Sequence, residues 1–100
     1  MFKLTDYIPK AEIEAFCRRN HIIKISLFGS ALRDELKPLS DIDILVEFDK
    51  NHIPGLLDLA GMEIELAEML GRKVDLRTPA ELSRYFRDDV LEKAKVAYAI

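Results

Sequence analysis

The chain has 100 residues, 49% of them hydrophobic and 33% charged, which suits one folded domain over 1–100 with a single modest core. Its formal charge of −3 argues against a nucleic-acid-binding face, because phosphate backbones are held mainly by clustered lysine and arginine. A single cysteine forms no internal disulfide, and the opening MFKLTDYIPKAEIE has no basic-then-apolar signal pattern. No apolar run approaches membrane-spanning length, so a cytoplasmic protein without a membrane segment is expected.

In chain order, residues 9–20 read as a helix. Pro9 suits the first helical position, Ile13, Phe16 and Cys17 share one face, and Asn20 suits the carboxy-terminal cap. IIKISLF, 22–28, is β-branched and aromatic and stops at Gly29, the pattern of a strand. Ser30 can cap a short helix reaching about Leu36, which Pro38 prevents from continuing. DIDILVEF, 41–48, is a second strand with Ile42, Ile44 and Val46 on one face and Asp41, Asp43, Leu45 and Glu47 on the other.

Residues 55–70 predict a longer helix with Leu59, Met62, Leu66 and Met69 as its buried stripe and Gly71 as its stop. RKVDLRT, 72–78, predicts a third strand. Pro79 opens another predicted helix, 79 to about 94, carrying Leu82, Phe86, Val90 and Leu91. The tail KVAYAI fits either a short edge strand or a continuation of that helix. Strands separated by helices give an α/β (α+β) fold whose sheet is mixed, with three or four strands and helices packed on it.

Two aspartates flank a single isoleucine at the mouth of the second strand. Residues i and i+2 of a strand share a face about 6.6 Å apart. At an effective dielectric near 20, two unit charges at that separation repel by roughly 2.5 kcal/mol. That is a large share of the ~5–15 kcal/mol that holds a domain folded. Either both carboxylates reach water, or a cation lies between them. Hard divalent cations such as Mg²⁺ prefer carboxylate oxygens and leave room for substrate phosphates. Asp-x-Asp alone fits a solvated strand end better than a metal clamp, and Gly29-Ser30 alone fits a turn followed by a cap. Their combination says more. A Gly-Ser strand-to-helix junction offers free N–H groups to an anion, and the Asp-x-Asp pair follows after a ten-residue gap. A phosphate cradle beside a metal clamp is a triphosphate site in outline.

GSALR, SDIDILV and LGRKVDLRT together resemble the minimal nucleotidyltransferases of the polymerase-beta-like superfamily. The MNT-type antitoxin partners of HEPN-domain toxins are the most similar group. The resemblance spans nearly the whole chain, and Asp34 departs from it where the family's pattern has glycine. It implies a small nucleotidyltransferase fold in which Asp41, Asp43 and Asp75 hold two Mg²⁺ ions, with Asp75 helping to activate the attacking hydroxyl. It implies also that Gly29 and Ser30 bind the β- and γ-phosphates of ATP, with Arg33 and Ser40 supporting the nucleotide. The reaction implied is transfer of AMP from ATP to a tyrosine of a HEPN-type RNase toxin, in a homo- or hetero-oligomer.

Asp75 lies between Lys73 and Arg77, so a plain surface ion pair is the competing reading at that position. His21 and His52 lack acidic or cysteine partners at metal-ligand spacing and read as surface residues. Cys17 reads as inert core. Glu63, Glu65 and Glu68 read as the solvated side of their helix, and Tyr85 and Tyr98 as buried or edge aromatics. A chain this short has little left with which to build an acceptor pocket, so the acceptor is expected on a partner or second subunit. Two other functions stay open: neutralisation of a partner by binding alone, and nucleotide transfer to a small molecule.

Overall fold

The structure, a computed structural model, describes residues 3–29, 41–85 and 87–99. After a 3-10 turn at Leu4–Asp6 come α1 (Lys10–Arg19), β1 (Ile22–Leu27), β2 (Ile42–Phe48), α2 (Leu56–Leu70), β3 (Val74–Arg77), α3 (Arg87–Lys93) and β4 (Lys95–Ala99). The four strands form one open mixed sheet in the order β3-β2-β1-β4. β1 is antiparallel to both β2 and β4, and β3 runs parallel to β2. The parallel pair needs a crossover, which α2 supplies.

Local chemistry sets the element ends. Pro9, with φ −54°, stands one residue before α1 as its cap rather than inside it. Asn20 ends α1, its Nδ2 donating to the Phe16 carbonyl at 2.9 Å. α2 begins where the Gly55 N–H donates to Asp58 Oδ2 at 3.3 Å. It stops at Gly71, whose φ of +69° lets its N–H reach the Ala67 carbonyl at 2.9 Å.

Alternation along β2 divides the molecule. Ile42, Ile44 and Val46 join Ile13, Phe16 and Cys17 of α1, Met62, Leu66 and Leu70 of α2, and Val74 and Leu76 of β3 in one core. Truncating any fully buried aliphatic there, Ile44 for example, removes about 2–5 kcal/mol. The opposite face carries Asp43 and Leu45 of β2 in register with Asp75 and Arg77 of β3, so one sheet has a helix-covered face and a chemical face.

Three expectations change and one open alternative is settled. The single helix over 79 to about 94 is instead a 3-10 turn at Pro79–Glu81 followed by the shorter α3. The break has a cause: the Thr78 N–H and Oγ1–H both donate to Glu81 Oε1, at 3.1 and 3.2 Å, while Leu82 leaves helical geometry (φ −77°, ψ 145°) to become buried. The tail is strand, pairing with β1 at the sheet edge. Glu63 is not merely solvated: its Oε2 accepts the Leu76 N–H at 2.8 Å and ties α2 to edge strand β3. Tyr85 stands exposed, not buried. The helix expected from Ser30 to about Leu36, with Asp34 and Pro38, lies outside the described residues, as does Phe86.

Candidate active site

The parallel register sets Asp43 of β2 directly beside Asp75 of β3. Neighbouring strands lie about 4.8 Å apart. Two carboxylates near 5 Å repel by roughly 3 kcal/mol at an effective dielectric of 20, more than the Asp41–Asp43 pair considered within one strand. The sheet therefore sharpens the electrostatic problem posed by the sequence. Both residues are half-buried, which limits the relief that water gives.

Gly29 follows the end of β1 with φ +70°. A Cβ at that position would lie 3.1 Å from Asp43 Cγ and 3.3 Å from Asp43 Cβ, and would overlap Asp43 Oδ2. Glycine is required here twice over, for the left-handed backbone and for the space beside the carboxylate. The Phe28 N–H donates to the Asp43 carbonyl at 3.1 Å and fixes that approach. Phe28, Asp43, Asp75, Arg77, Glu81, Leu82 and Ser83 line a cleft of about 240 Å³.

Arg77 supplies a positive charge at this cleft. Its Nε lies 3.0 Å from Asp75 Oδ1, its terminal nitrogen donates to Asp75 Oδ2 at 3.4 Å, and the guanidinium also lies 3.7 Å from Glu81. The hydrogen bond from Arg77 to Asp75, and then the charge of that carboxylate, hold the guanidinium still more firmly protonated than usual. The ion pair that competed with the metal role for Asp75 is thus present.

Asp41 is exposed, one residue before β2. The Ile42 N–H donates to the Lys73 carbonyl at 2.9 Å, which joins the starts of β2 and β3. The structure therefore brings together Gly29, Asp43 and Asp75, while Asp41 is exposed and does not line the cleft. Ser30, Arg33 and Ser40 lie outside the described residues. Among the described residues, no three His, Cys, Asp or Glu side chains are grouped closely enough to hold a metal ion by themselves.

That donor set nonetheless fits Mg²⁺. This ion keeps several waters and is usually held by one or two carboxylates together with substrate phosphates, not by an all-protein cage. Asp43 and Asp75 provide two carboxylates, and the first packs against Gly29. Glu81 and Ser83 were missed as cleft residues. The Thr-x-x-Glu spacing of Thr78 and Glu81 is a capping signature that could have placed a turn here.

His21 and His52 stack with ring centroids 3.8 Å apart, at the other end of the sheet from the cleft, where the Asp49 N–H donates to the His21 carbonyl. Cys17 is buried, and that burial pushes its thiol up from 9.0 to about 12. No helix among the described residues is long and apolar enough to cross a membrane.

Comparison with known proteins agrees with this geometry. The family described as nucleotidyltransferase domain matches residues 10–97. A Methanocaldococcus jannaschii protein bearing a protein adenylyltransferase name is 39% identical over 85 residues, which are 85% of this chain and 89% of that protein. The protein adenylyltransferase MntA of Thermococcus cleftensis is 40% identical over 70 residues, 70% of this chain and 69% of its own. Among solved structures, a minimal nucleotidyltransferase is 32% identical with a TM-score of 0.71, over 85% of each chain. One chain of a toxin–antitoxin complex with AMP-PNP shares the fold at 24% identity and a TM-score of 0.74, covering 93% of this chain and 75% of that one. The chain belongs to the nucleotidyltransferase domain family, and it is a nucleotidyltransferase enzyme whose relatives bear protein adenylyltransferase names.

Proposed function

We propose that this chain is a Mg²⁺-dependent adenylyltransferase acting in the cytoplasm as an antitoxin. It would move AMP from ATP to a tyrosine hydroxyl of a HEPN-type RNase toxin and so silence it. The observation that carries the reading is the in-register pair Asp43 and Asp75, with the Asp43 carboxylate packed against a glycine where a Cβ would overlap it. A protein acceptor is supported by the adenylyltransferase relatives, and the small cleft leaves little room for a second substrate.

In this reading Asp41, Asp43 and Asp75 would hold two Mg²⁺ ions, whose charge would offset that of the phosphates. Gly29, with Ser30, Arg33 and Ser40, holds the triphosphate. Asp75 accepts the proton of the incoming hydroxyl. The hydroxyl oxygen bonds to the α-phosphorus, the bond from that phosphorus to the bridging oxygen of the β-phosphate breaks, and pyrophosphate leaves. Positioning and charge neutralisation carry most of the rate.

One observation favours the second reading, neutralisation by binding alone: both oxygens of Asp75 are engaged by Arg77. The two separate in one experiment. The chain is co-expressed with a HEPN toxin, and the purified toxin is weighed by mass spectrometry. Transfer predicts adenylate increments on a tyrosine that vanish with Asp41→Asn or Asp43→Asn. An unmodified yet inhibited toxin supports binding alone.

A further inference from the structure

The far end of the sheet carries a second surface, built on the amino-terminal half of α2. Ile53 is 70% exposed, Leu56 84%, Leu57 87% and Ile64 61%. Leu57, Gly61 and Ile64 follow helical spacing, so the outward side of α2 has an apolar stripe in addition to its buried one. Ile53, Pro54, Leu57, Gly61 and Met62 line a groove of about 590 Å³, walled on the other side by the His21–His52 stack.

Gly61 is the informative residue. Glycine inside a helix is destabilising relative to alanine, and a Cβ there would meet nothing within 4 Å. Nothing in the described chain requires its absence. A small residue between two large apolar ones is what a crossing helix needs for close backbone approach.

Charge selects the occupant. α2 reads LLDLAGMEIELAEML, with no lysine or arginine; Glu63 turns to β3, and Asp58, Glu65 and Glu68 are the helix's remaining acids. Asp58 and Glu65 line the groove, where Arg19 already binds Glu65 at 2.6 Å. Glu68 is exposed near the helix's negative end with no ion-pair partner among the described residues. Two copies of this chain crossing at α2 would set acid against acid. A partner helix with basic flanks would instead complete the charge pattern.

We propose that the groove between α2 and the His21–His52 stack takes an amphipathic helix of another protein, one whose apolar stripe is flanked by lysine or arginine. β2 runs about 17 Å from Asp43 to Phe48, and the surface lies beyond that end, so a docked helix leaves the cleft open. The inference does not depend on the transferase reading.

The test uses the full chain and a phage-displayed library of amphipathic helices with free flank positions. Selected helices are then titrated by fluorescence anisotropy. The expected result is enrichment of Lys and Arg at the flanks, binding weakened by added salt, and at least a ten-fold loss of affinity in Leu57→Asp and Gly61→Leu. Gly61→Leu raises helix propensity, so its thermal midpoint holds or rises while binding falls, which a purely structural role would not give. The proposal is overturned if no helix is enriched, if acidic flanks are selected, or if Gly61→Leu binds as wild type. It is equally overturned if the chain sediments as a dimer that Leu57→Asp dissociates, since the occupant would then be a second copy.

Discussion

Replacing Gly29 by alanine separates the needs of the fold from those of the chemistry. At φ +70° an alanine costs roughly 1–2 kcal/mol in backbone energy. Its Cβ would press on Asp43, 3.1 Å from Cγ and over Oδ2. The carboxylate must rotate away, which adds about 0.5–1.5 kcal/mol of off-rotamer cost. A total near 2–3 kcal/mol lowers the thermal midpoint of a domain this size by about 10–20 °C and leaves it folded. Catalysis should suffer far more, because displacing a reacting group by about 1 Å costs on the order of 100-fold. Gly71 provides the control: its φ is +69°, and a Cβ there meets nothing within 4 Å. Gly71→Ala bears the same backbone cost without touching Asp43. The assay compares circular-dichroism melts with label transfer from ATP well below either midpoint. The expectation is a loss of stability in both variants, smaller by about 0.5–1.5 kcal/mol in Gly71→Ala, and a loss of transfer, about 100-fold or more, in Gly29→Ala alone. Equal transfer by the two variants would refute the reasoning.

Arg77→Met frees both oxygens of Asp75, so Mn²⁺ binding, read by electron paramagnetic resonance, should tighten several-fold. Stability should move by about 1 kcal/mol or less, because Arg77 is exposed and Asp75 only half-buried; unchanged or weaker Mn²⁺ binding counts against competition at Asp75. Glu63→Ala strips the Leu76 N–H of its acceptor and should cost about 1–3 kcal/mol. Faster hydrogen exchange at Leu76 and recovery in Glu63→Gln check it. The Cys17 thiol, raised from 9.0 to about 12 by burial, has roughly one part in 10⁴ thiolate at pH 8 and should resist alkylation until the protein unfolds. The unfolded thiol releases its proton first, so this contribution to stability is complete below pH 9.0 and declines as pH rises toward about 12. A urea midpoint that rises over that interval would contradict the assignment.

Much of the fold was legible because its signals are local. The β-branched runs at 22–28 and 41–48, the Gly71 stop and the apolar stripe of α2 each follow from side chains a few residues apart. The 79–94 helix failed for a reason that is not local: burial of Leu82 and the Thr78–Glu81 bonds override helical periodicity. Glu63 was misread likewise, because its partner is an edge-strand N–H thirteen residues away. At the site, Asp43, Asp75 and Gly29 were legible as residue types in a pattern. Their juxtaposition depends on strand register, and so does the entry of Glu81 and Ser83 into the cleft. The exposed apolar side of α2 was hidden because a stripe facing water and one facing the core have the same spacing.

Nucleotide transfer at the face shared by Asp43 and Asp75 is tested most directly by giving the protein and a HEPN toxin ATP labelled at either the α- or the γ-phosphate, with Mg²⁺. The expected result is label on the toxin from the α position only, abolished in folded Asp43→Asn and Asp75→Asn. Label arriving from the γ position, or transfer that persists in both variants, contradicts it.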